Sequence, residues 1–206
     1  MTAKLCCIVE GHGEVESVPA LIHKICHERS RTSPLITRPI RWNRQALMKA
    51  GEAERAVQLA LKYCGQPGGV LILVDADDDC AAQLGPSVLT RARHAAGTVP
   101  VAVSFACREF EAWFVAAAEC FRGFHGLPPD LTPPENPEQI RGAKEWLRKS
   151  TTSAISYRPG VDQLLFTKRL NLELARRAHS FRRFERETLV LLDRIEAISP
   201  PLPPAP

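Results

Sequence analysis

The sequence predicts an α/β fold: a mainly parallel sheet flanked by helices, followed by a helical C-terminal part. Two observations carry this prediction. Over the first 125 residues, apolar runs of strand length alternate with segments of helical spacing, as in chains built from βαβ units with right-handed crossovers. The strand-like runs are apolar throughout rather than at alternate positions, which is what a sheet covered on both faces requires.

Each element of this core has a local signal. The run "VLILV" is the clearest buried strand, and "LCCIV" is the next. Between the strands, apolar residues recur three and four apart, as from Val15 to Cys26, and the segment "CGQPGG" breaks a helix rich in Ala and Leu. The predicted strands span residues 4–9, 35–42, 70–74 and 99–106, and the predicted helices span 14–30, 45–63, 86–96 and 110–121.

A proline-rich segment, "GLPPDLTPPENP", separates this core from the rest of the chain. Beyond it, helical spacing predicts helices at about 137–149, 161–178 and 180–197. We therefore expect a catalytic core at 1–125, a connection at 126–137, a helical basic part at 138–198 packed on the core, and a mobile tail, "SPPLPPAP", at 199–206.

Composition restricts the class of protein. Of 206 residues, 45% are hydrophobic and 24% are charged, as in ordinary soluble domains. No apolar run reaches the roughly 18 residues of a membrane span, and the first run is too short for a signal peptide, so we expect a cytoplasmic protein without a membrane partner. The seven cysteines form no CxxC pair, which argues against the usual zinc spacing and fits reduced thiols.

Charge is unevenly distributed along the chain. Residues 1–140 hold 14 Lys and Arg against 16 Asp and Glu, whereas residues 141–194 hold 13 against 6, a net charge of +7. A polyanionic partner, or simply a solvated helix face, explains such a basic segment. The arginines that we consider for contacts with nucleic acid are Arg176, Arg177, Arg182, Arg183 and Arg186.

Three predicted strands end in acidic residues. The first ends at Glu10, "VLILV" runs into "DADDD", and the last leads to "REFE". Because the carboxyl ends of parallel strands share one edge of a sheet, these carboxylates are expected to converge. Convergent carboxylates repel one another unless a cation joins them, and Mg²⁺ prefers such oxygen ligands. The sequence therefore predicts a metal site at this edge.

Other interpretations fit less well. "GHGEVE" has Glu16 where a dinucleotide-binding GxGxxG needs its third glycine, and "DADDDC" lacks the glycine of an EF-hand loop. A DxD after a strand also occurs in glycosyltransferases and in phosphatases with an aspartyl nucleophile. Acids at strand ends can also merely cap helices. His23 and His27 stand four apart, but without a third ligand nearby they are interpreted as polar-face residues.

The three motifs "CIVEGHGEVESVPALIHKI", "LILVDADDD" and "REFEAWFVAA" together resemble the Toprim domain, the metal-binding catalytic domain of topoisomerases, bacterial primases and OLD-type nucleases. With the ending "SFRRF", the chain is most similar to a stand-alone Toprim-like family of unassigned function. Members of that family resemble OLD-type Toprim domains and are often encoded beside AAA-type ATPases, in settings that suggest antiviral defence. The resemblance implies a Toprim-like, Rossmann-like core.

The resemblance also implies roles for particular acids. Glu10 matches the catalytic Glu, Asp75 and Asp77 match the DxD pair, and Glu111 matches the later acid before Trp. Glu14 matches the acid after the glycine turn, and Asp79 is an extra candidate ligand. The implied cofactor is Mg²⁺ or Mn²⁺, held by these six acids, Glu111 included, with Glu10, Asp75, Asp77 and Glu111 as catalytic residues.

These expectations together indicate a hydrolase of the nuclease type, cleaving phosphodiester bonds of nucleic acid, with DNA as the first expectation. No tyrosine stands in a nucleophile context, which argues against strand passage. Two alternatives stay open: a non-catalytic regulatory or binding subunit of an ATPase complex, and a metal-dependent nucleotidyl transferase. The sequence does not give the oligomeric state.

Overall fold

A parallel sheet organises the fold in the computed structural model, which describes residues 3–151 and 156–198. Its strands pair in the order β2-β1-β4-β5, and β3 pairs with β1 along the same edge as β2. The predicted α/β class, with a parallel sheet flanked by helices and a helical C-terminal part, is confirmed. The predicted tail at 199–206 lies outside the described residues. The strands are β1 (Lys4–Val9), β2 (Leu35–Ile36), β3 (Ile40–Arg41), β4 (Gly68–Asp75) and β5 (Val101–Ala106).

The helices alternate with these strands and then continue alone to the end of the described chain. Two short 3₁₀ turns lie at Ala118–Phe121 and Pro137–Gln139. The helices are α1 (Glu14–Glu28), α2 (Arg44–Leu47), α3 (Glu52–Cys64), α4 (Ala81–Ala96), α5 (Ala112–Ala116), α6 (Ala143–Ser150), α7 (Pro159–Arg169), α8 (Leu172–Ala175) and α9 (His179–Ala197).

Several predicted boundaries are wrong for local reasons. The predicted helix at 45–63 is two helices, because Gly51 between α2 and α3 has a φ of 80°, which lies outside the helical region. The predicted helix at 161–178 divides into α7 and α8, because the chain is extended at Asn171, whose side chain accepts a hydrogen bond from the Leu174 N–H. Helix α4 begins at Ala81 rather than at Pro86, and the predicted strand at 35–42 is two short strands, β2 and β3.

Two hydrophobic cores cover the two faces of the sheet. Helices α3 and α4 pack on one face, and α1, α5, α7 and α9 pack on the other. Helix α9 lies close to β4 at Gly69, where a Cβ atom would stand 2.5 Å from Cδ1 of Ile195. The C-terminal helices thus share a core with the sheet. Among the described helices, none has the length and apolar character that a membrane crossing needs.

Candidate functional site

Acidic side chains gather at the carboxyl edge of the sheet. Val9 of β1 pairs with Leu73 of β4, so Glu10 leaves the sheet almost level with Asp75. Asp75 pairs with Ala106 at the end of β5, so the "REFE" segment begins at the same edge. A cleft of about 390 Å³ opens there. Five carboxylates line this acidic cleft: Glu10, Glu14, Asp75, Asp77 and Glu111.

The turn after β1 brings two of these acids together. Glu14 begins α1, and its Oε2 accepts a hydrogen bond from the Glu10 N–H at 3.0 Å. The glycine before Glu14 has a packing role, since a Cβ atom at Gly13 would collide with the Gln163 side chain and the Pro159 carbonyl oxygen. The "GHGE" turn therefore serves two purposes: it folds an acid back over the end of β1, and it admits α7 to the rim of the cleft.

Asp75 and Glu111 are two further buried acids of the cleft. Asp75 Oδ1 accepts a hydrogen bond from the Phe110 N–H at 2.8 Å. Glu111, which is fully buried, accepts one from the Tyr157 hydroxyl at 3.0 Å and one from Gln163 Nε2 at 3.4 Å. These donors orient both carboxylates toward the cleft and keep them fixed there.

Burial gives these acids an unusual protonation behaviour. Loss of water raises the pKa of Glu14 to about 7, although hydrogen bonds from the backbone oppose the shift. Burial, reinforced by the charge of Glu14, also raises the pKa of Asp75 well above its ordinary value. Burial raises the pKa of Glu111 and that of Glu10 in the same direction. These acids therefore keep their protons to a higher pH than exposed carboxyl groups do.

One ammonium group lies inside the cleft. Lys144 Nζ lies 3.1 Å from Glu111 Oε2, 3.4 Å from Asp75 Oδ2 and 3.4 Å from Glu109 Oε1. Although burial by itself lowers the pKa of this lysine, the three carboxylates together raise it above the ordinary value. Lys144 therefore carries a fixed positive charge among the acids.

The outer aspartates are held by arginines. Arg44 Nη1 lies 3.4 Å from Asp77 Oδ2, and Arg44 also pairs closely with Asp79, which does not line the acidic cleft. Asp78 pairs with Arg108 at 2.6 Å and with Arg141 at 3.2 Å. The structure therefore brings Asp77 to the rim of the cleft but directs Asp79 toward Arg44.

Within residues 3–151 and 156–198, no three Asp, Glu, His or Cys side chains are arranged as a ready-made metal site. The ion pairs to Arg44 and Lys144 explain this, because each draws carboxylate oxygens toward a protein cation. The donor chemistry still suits Mg²⁺ or Mn²⁺, since the cleft offers several carboxylate oxygens. One of them, Glu10 Oε2, is buried and has no hydrogen-bond partner in the described part of the chain.

The five arginines considered for nucleic acid lie away from this cleft, and none is among the described residues that line it. Arg176 is engaged by three carboxylates: those of Glu28, Glu173 and Glu185. Arg177 pairs with Glu119 at 2.5 Å, and Arg186 pairs with Glu187 at 3.1 Å. Arg182 donates to the backbone carbonyl groups of Arg176 and Arg177, and Arg183 is half-buried beside α4 at Gly85.

Sequence reasoning did not identify four residues that shape the site: Arg44, Lys144, Tyr157 and Gln163. Each lies in a segment without a motif, and each contacts an acid that is at least 33 residues away in the chain. The only available signal was chemical: a buried cluster of acids requires partners, although the sequence does not say which residues supply them.

A family model matches residues 9–188, which is most of the chain and includes all of the acids described above. Its description is "Domain of unknown function (DUF4276)". The chain belongs to the DUF4276 family. Neither curated proteins nor solved structures show a match to this DUF4276 chain. The resemblance to Toprim domains, which rests on the three sequence motifs, thus stays a prediction.

Proposed function

We propose that this DUF4276 protein is a nuclease that hydrolyses phosphodiester bonds of nucleic acid with the help of Mg²⁺ or Mn²⁺. The observation that carries the proposal is an excess of carboxyl groups over cationic side chains at the carboxyl edge of a parallel sheet. Five carboxylates line the acidic cleft, and Lys144 is the one lysine or arginine among the described residues that line it. A divalent ion would remove this imbalance and would bring a phosphate to the same place.

Each acid of the cleft that takes part in this proposal has a stated task, and Glu10 has two. Glu10, Asp75 and Asp77 would hold the ion, with Glu14 beside them. When bound, the ion would polarise a phosphate oxygen and lower the pKa of a bound water molecule. Glu10, whose buried Oε2 has no hydrogen-bond partner among the described residues, would accept the proton of the attacking water. The walls formed by Pro159 and Gly160 of α7 would limit the access of other water molecules.

The proposal extends to partners and setting. An acidic cleft repels a nucleic-acid backbone, so the metal and the basic C-terminal helices would attract it together. Arg186 is exposed and has a single acidic neighbour, which leaves it more available than Arg176. DNA is the expected substrate, an AAA-type ATPase is the expected protein partner, and we place this activity in the cytoplasm, in antiviral defence.

A DNA-cleavage assay with Mn²⁺, Mg²⁺ or EDTA tests the proposal. We expect Asp75→Asn to lower the metal-dependent rate by at least about a hundredfold. Asparagine is preferred to alanine here, because its amide oxygen can still accept the hydrogen bond from the Phe110 N–H, whereas alanine would leave that buried donor unpaired at a cost of about 1–3 kcal/mol.

The matched control is Asp130→Asn, an exposed aspartate in the proline-rich connection, which should cleave at the rate of the parent. Equal rates for Asp75→Asn and the parent, in preparations freed of contaminating nuclease, would count against catalysis at this cleft. If the parent binds DNA but does not cleave it with either Mn²⁺ or Mg²⁺, the result favours the alternative of a binding subunit. The existing ion pairs of the acids with Arg44 and Lys144 are the observation behind that alternative.

A further inference from the structure

The position of Lys144 is fixed by helix α6 and by contacts of its backbone. It stands in the first turn of α6, where its own N–H donates to Glu109 Oε2 at 3.0 Å. The neighbouring residues Ala143 and Leu147 are fully buried, which anchors α6 against the core. The side chain of Lys144 then turns back toward Glu109, Asp75 and Glu111. Because Glu109 holds both the backbone and the ammonium group of Lys144, the position of the charge is well determined.

The ammonium group divides the acids in and beside the cleft into two sets. Glu109 and Glu111 face Lys144, and Glu111 is further held by Tyr157. Glu10, Glu14 and Asp77 line the cleft without a contact to Lys144, and Asp75 offers one oxygen to the lysine. The lysine thus neutralises one side of the acidic cluster, whereas on the other side Arg44 contacts Asp77.

We propose that Lys144 is a built-in cation that replaces the second ion of a two-metal centre, so that the cleft binds a single divalent ion. In two-metal sites the ions lie about 3.5–4 Å apart, so one tethered charge close to Asp75 would exclude a second ion. Glu111 then serves Lys144 rather than the metal. The identity of the ion rests on the proposed nuclease function, whereas the number of ions does not.

Counting Mn²⁺ ions tests this inference directly, by electron paramagnetic resonance and calorimetry on the full chain. We expect one Mn²⁺ per parent chain and one per Lys144→Arg chain, because both keep the positive charge. Lys144→Met keeps much of the side-chain volume but removes the charge, and we expect it to bind two ions. Two ions in the parent, or one ion with unchanged affinity in Lys144→Met, would overturn the inference.

A second measurement covers the case in which Lys144→Met folds poorly. Glu111→Gln in the parent should weaken Mn²⁺ binding by about tenfold, at the lower end of the range for a group outside the ligand set, whereas Asp75→Asn should weaken it by more than about a hundredfold, beyond that range. Equal losses for the two variants would show that Glu111 is a ligand, and the inference would be wrong.

Thermal melting supplies a readout that is independent of cleavage. In EDTA, Lys144→Met should melt below the parent, since Glu111 and Asp75 lose their ammonium partner. Mn²⁺ should then raise the melting temperature of Lys144→Met more than that of the parent, because the ion takes over the lost charge. An equal rise in both proteins would contradict the inference.

The outcomes separate the inference from the proposed function. A parent chain that binds one Mn²⁺ but cleaves no nucleic acid supports the role of Lys144 and refutes the nuclease. A parent chain that cleaves DNA and binds two ions refutes the role of Lys144 alone. A parent chain that binds no Mn²⁺ at all refutes both.

Discussion

At the scale of single residues, Glu14 shows how burial in the fold changes the pKa of a carboxyl group. Its carboxylate is buried at the start of α1, and its hydrogen bond from the Glu10 N–H only partly offsets the loss of water. Burial therefore raises its pKa to about 7 in the folded protein. In the unfolded chain a glutamate has a pKa of about 4.3, so folding makes Glu14 hold its proton over a wide pH range.

This difference predicts a pH-dependent stability. The folded state binds the proton of Glu14 more tightly than the unfolded state does. The stability that this protonation contributes is therefore fully present below pH ~4.3 and is lost as the pH rises toward 7. Glu14→Gln stays neutral and can keep the bond from the Glu10 N–H. In EDTA, we expect its free energy of unfolding to exceed that of the parent increasingly between pH 4.5 and about 7, as measured by urea denaturation.

The control for this prediction is Glu16→Gln, because Glu16 lies on the same helix but is exposed. Its stability relative to the parent should stay constant over the same pH range. A difference between Glu14→Gln and the parent that is equally large at pH 5 and pH 7.5 would show that burial of Glu14 does not shift its titration.

At the scale of elements, the contact between α1 and α7 depends on the absence of a side chain. Gly13 stands immediately before α1, and the Pro159 carbonyl oxygen and the Gln163 side chain fill the space beside it. Gln163 in turn donates to Glu111. Gln163 of α7 thus contacts both the "GHGE" turn and Glu111, so a shift of α7 away from the turn would also disturb Glu111.

Gly13→Ala is expected to lower the free energy of unfolding by about 1–3 kcal/mol, because the added Cβ atom meets backbone as well as side chain. The matched control is Gly160→Ala in α7, which also lines the cleft but has open space around its Cα atom. Alanine there should leave stability unchanged or raise it by up to about 1 kcal/mol. Urea denaturation of both variants tests the prediction, and equal stabilities would contradict it.

At the scale of the whole molecule, charged groups join the C-terminal helices to the sheet domain. Arg176 follows α8 and contacts Glu185 of α9 and Glu28 of α1. Glu185 is buried, and its second cation is Arg29, which is half-exposed. These contacts connect segments from both ends of the chain, which fits the core that the C-terminal helices share with the sheet.

Arg176→Ala is therefore expected to lower the free energy of unfolding by about 2–4 kcal/mol, somewhat below the usual cost of breaking a buried pair because Arg29 remains. Arg186→Ala removes an exposed arginine that contacts Glu187, and it should change stability by less than about 0.5 kcal/mol. Chemical denaturation distinguishes the two. If both variants unfold like the parent, the Arg176 contacts do not stabilise the assembly of α1, α8 and α9.

Much of the fold could be predicted because the signals for it are local. An apolar run such as "VLILV" must be buried on both faces, and a parallel arrangement then follows from the helices between the strands. The breaks at Gly51 and at Leu170 and Asn171 were missed, since one or two residues with a non-helical backbone end a helix without changing the hydrophobic pattern around them.

The sequence by itself determined that acids end three strands of a parallel sheet, and hence that Glu10, Asp75 and Glu111 lie at one edge. Only the tertiary structure decided which cations meet them. Lys144 reaches Asp75 across 69 residues of chain, and Arg44 reaches the Ala76 carbonyl across 32. Periodicity reports whether a residue faces the core or the solvent, but an ion pair depends on the path of the whole chain. The charge balance of the cleft was therefore decided by tertiary packing.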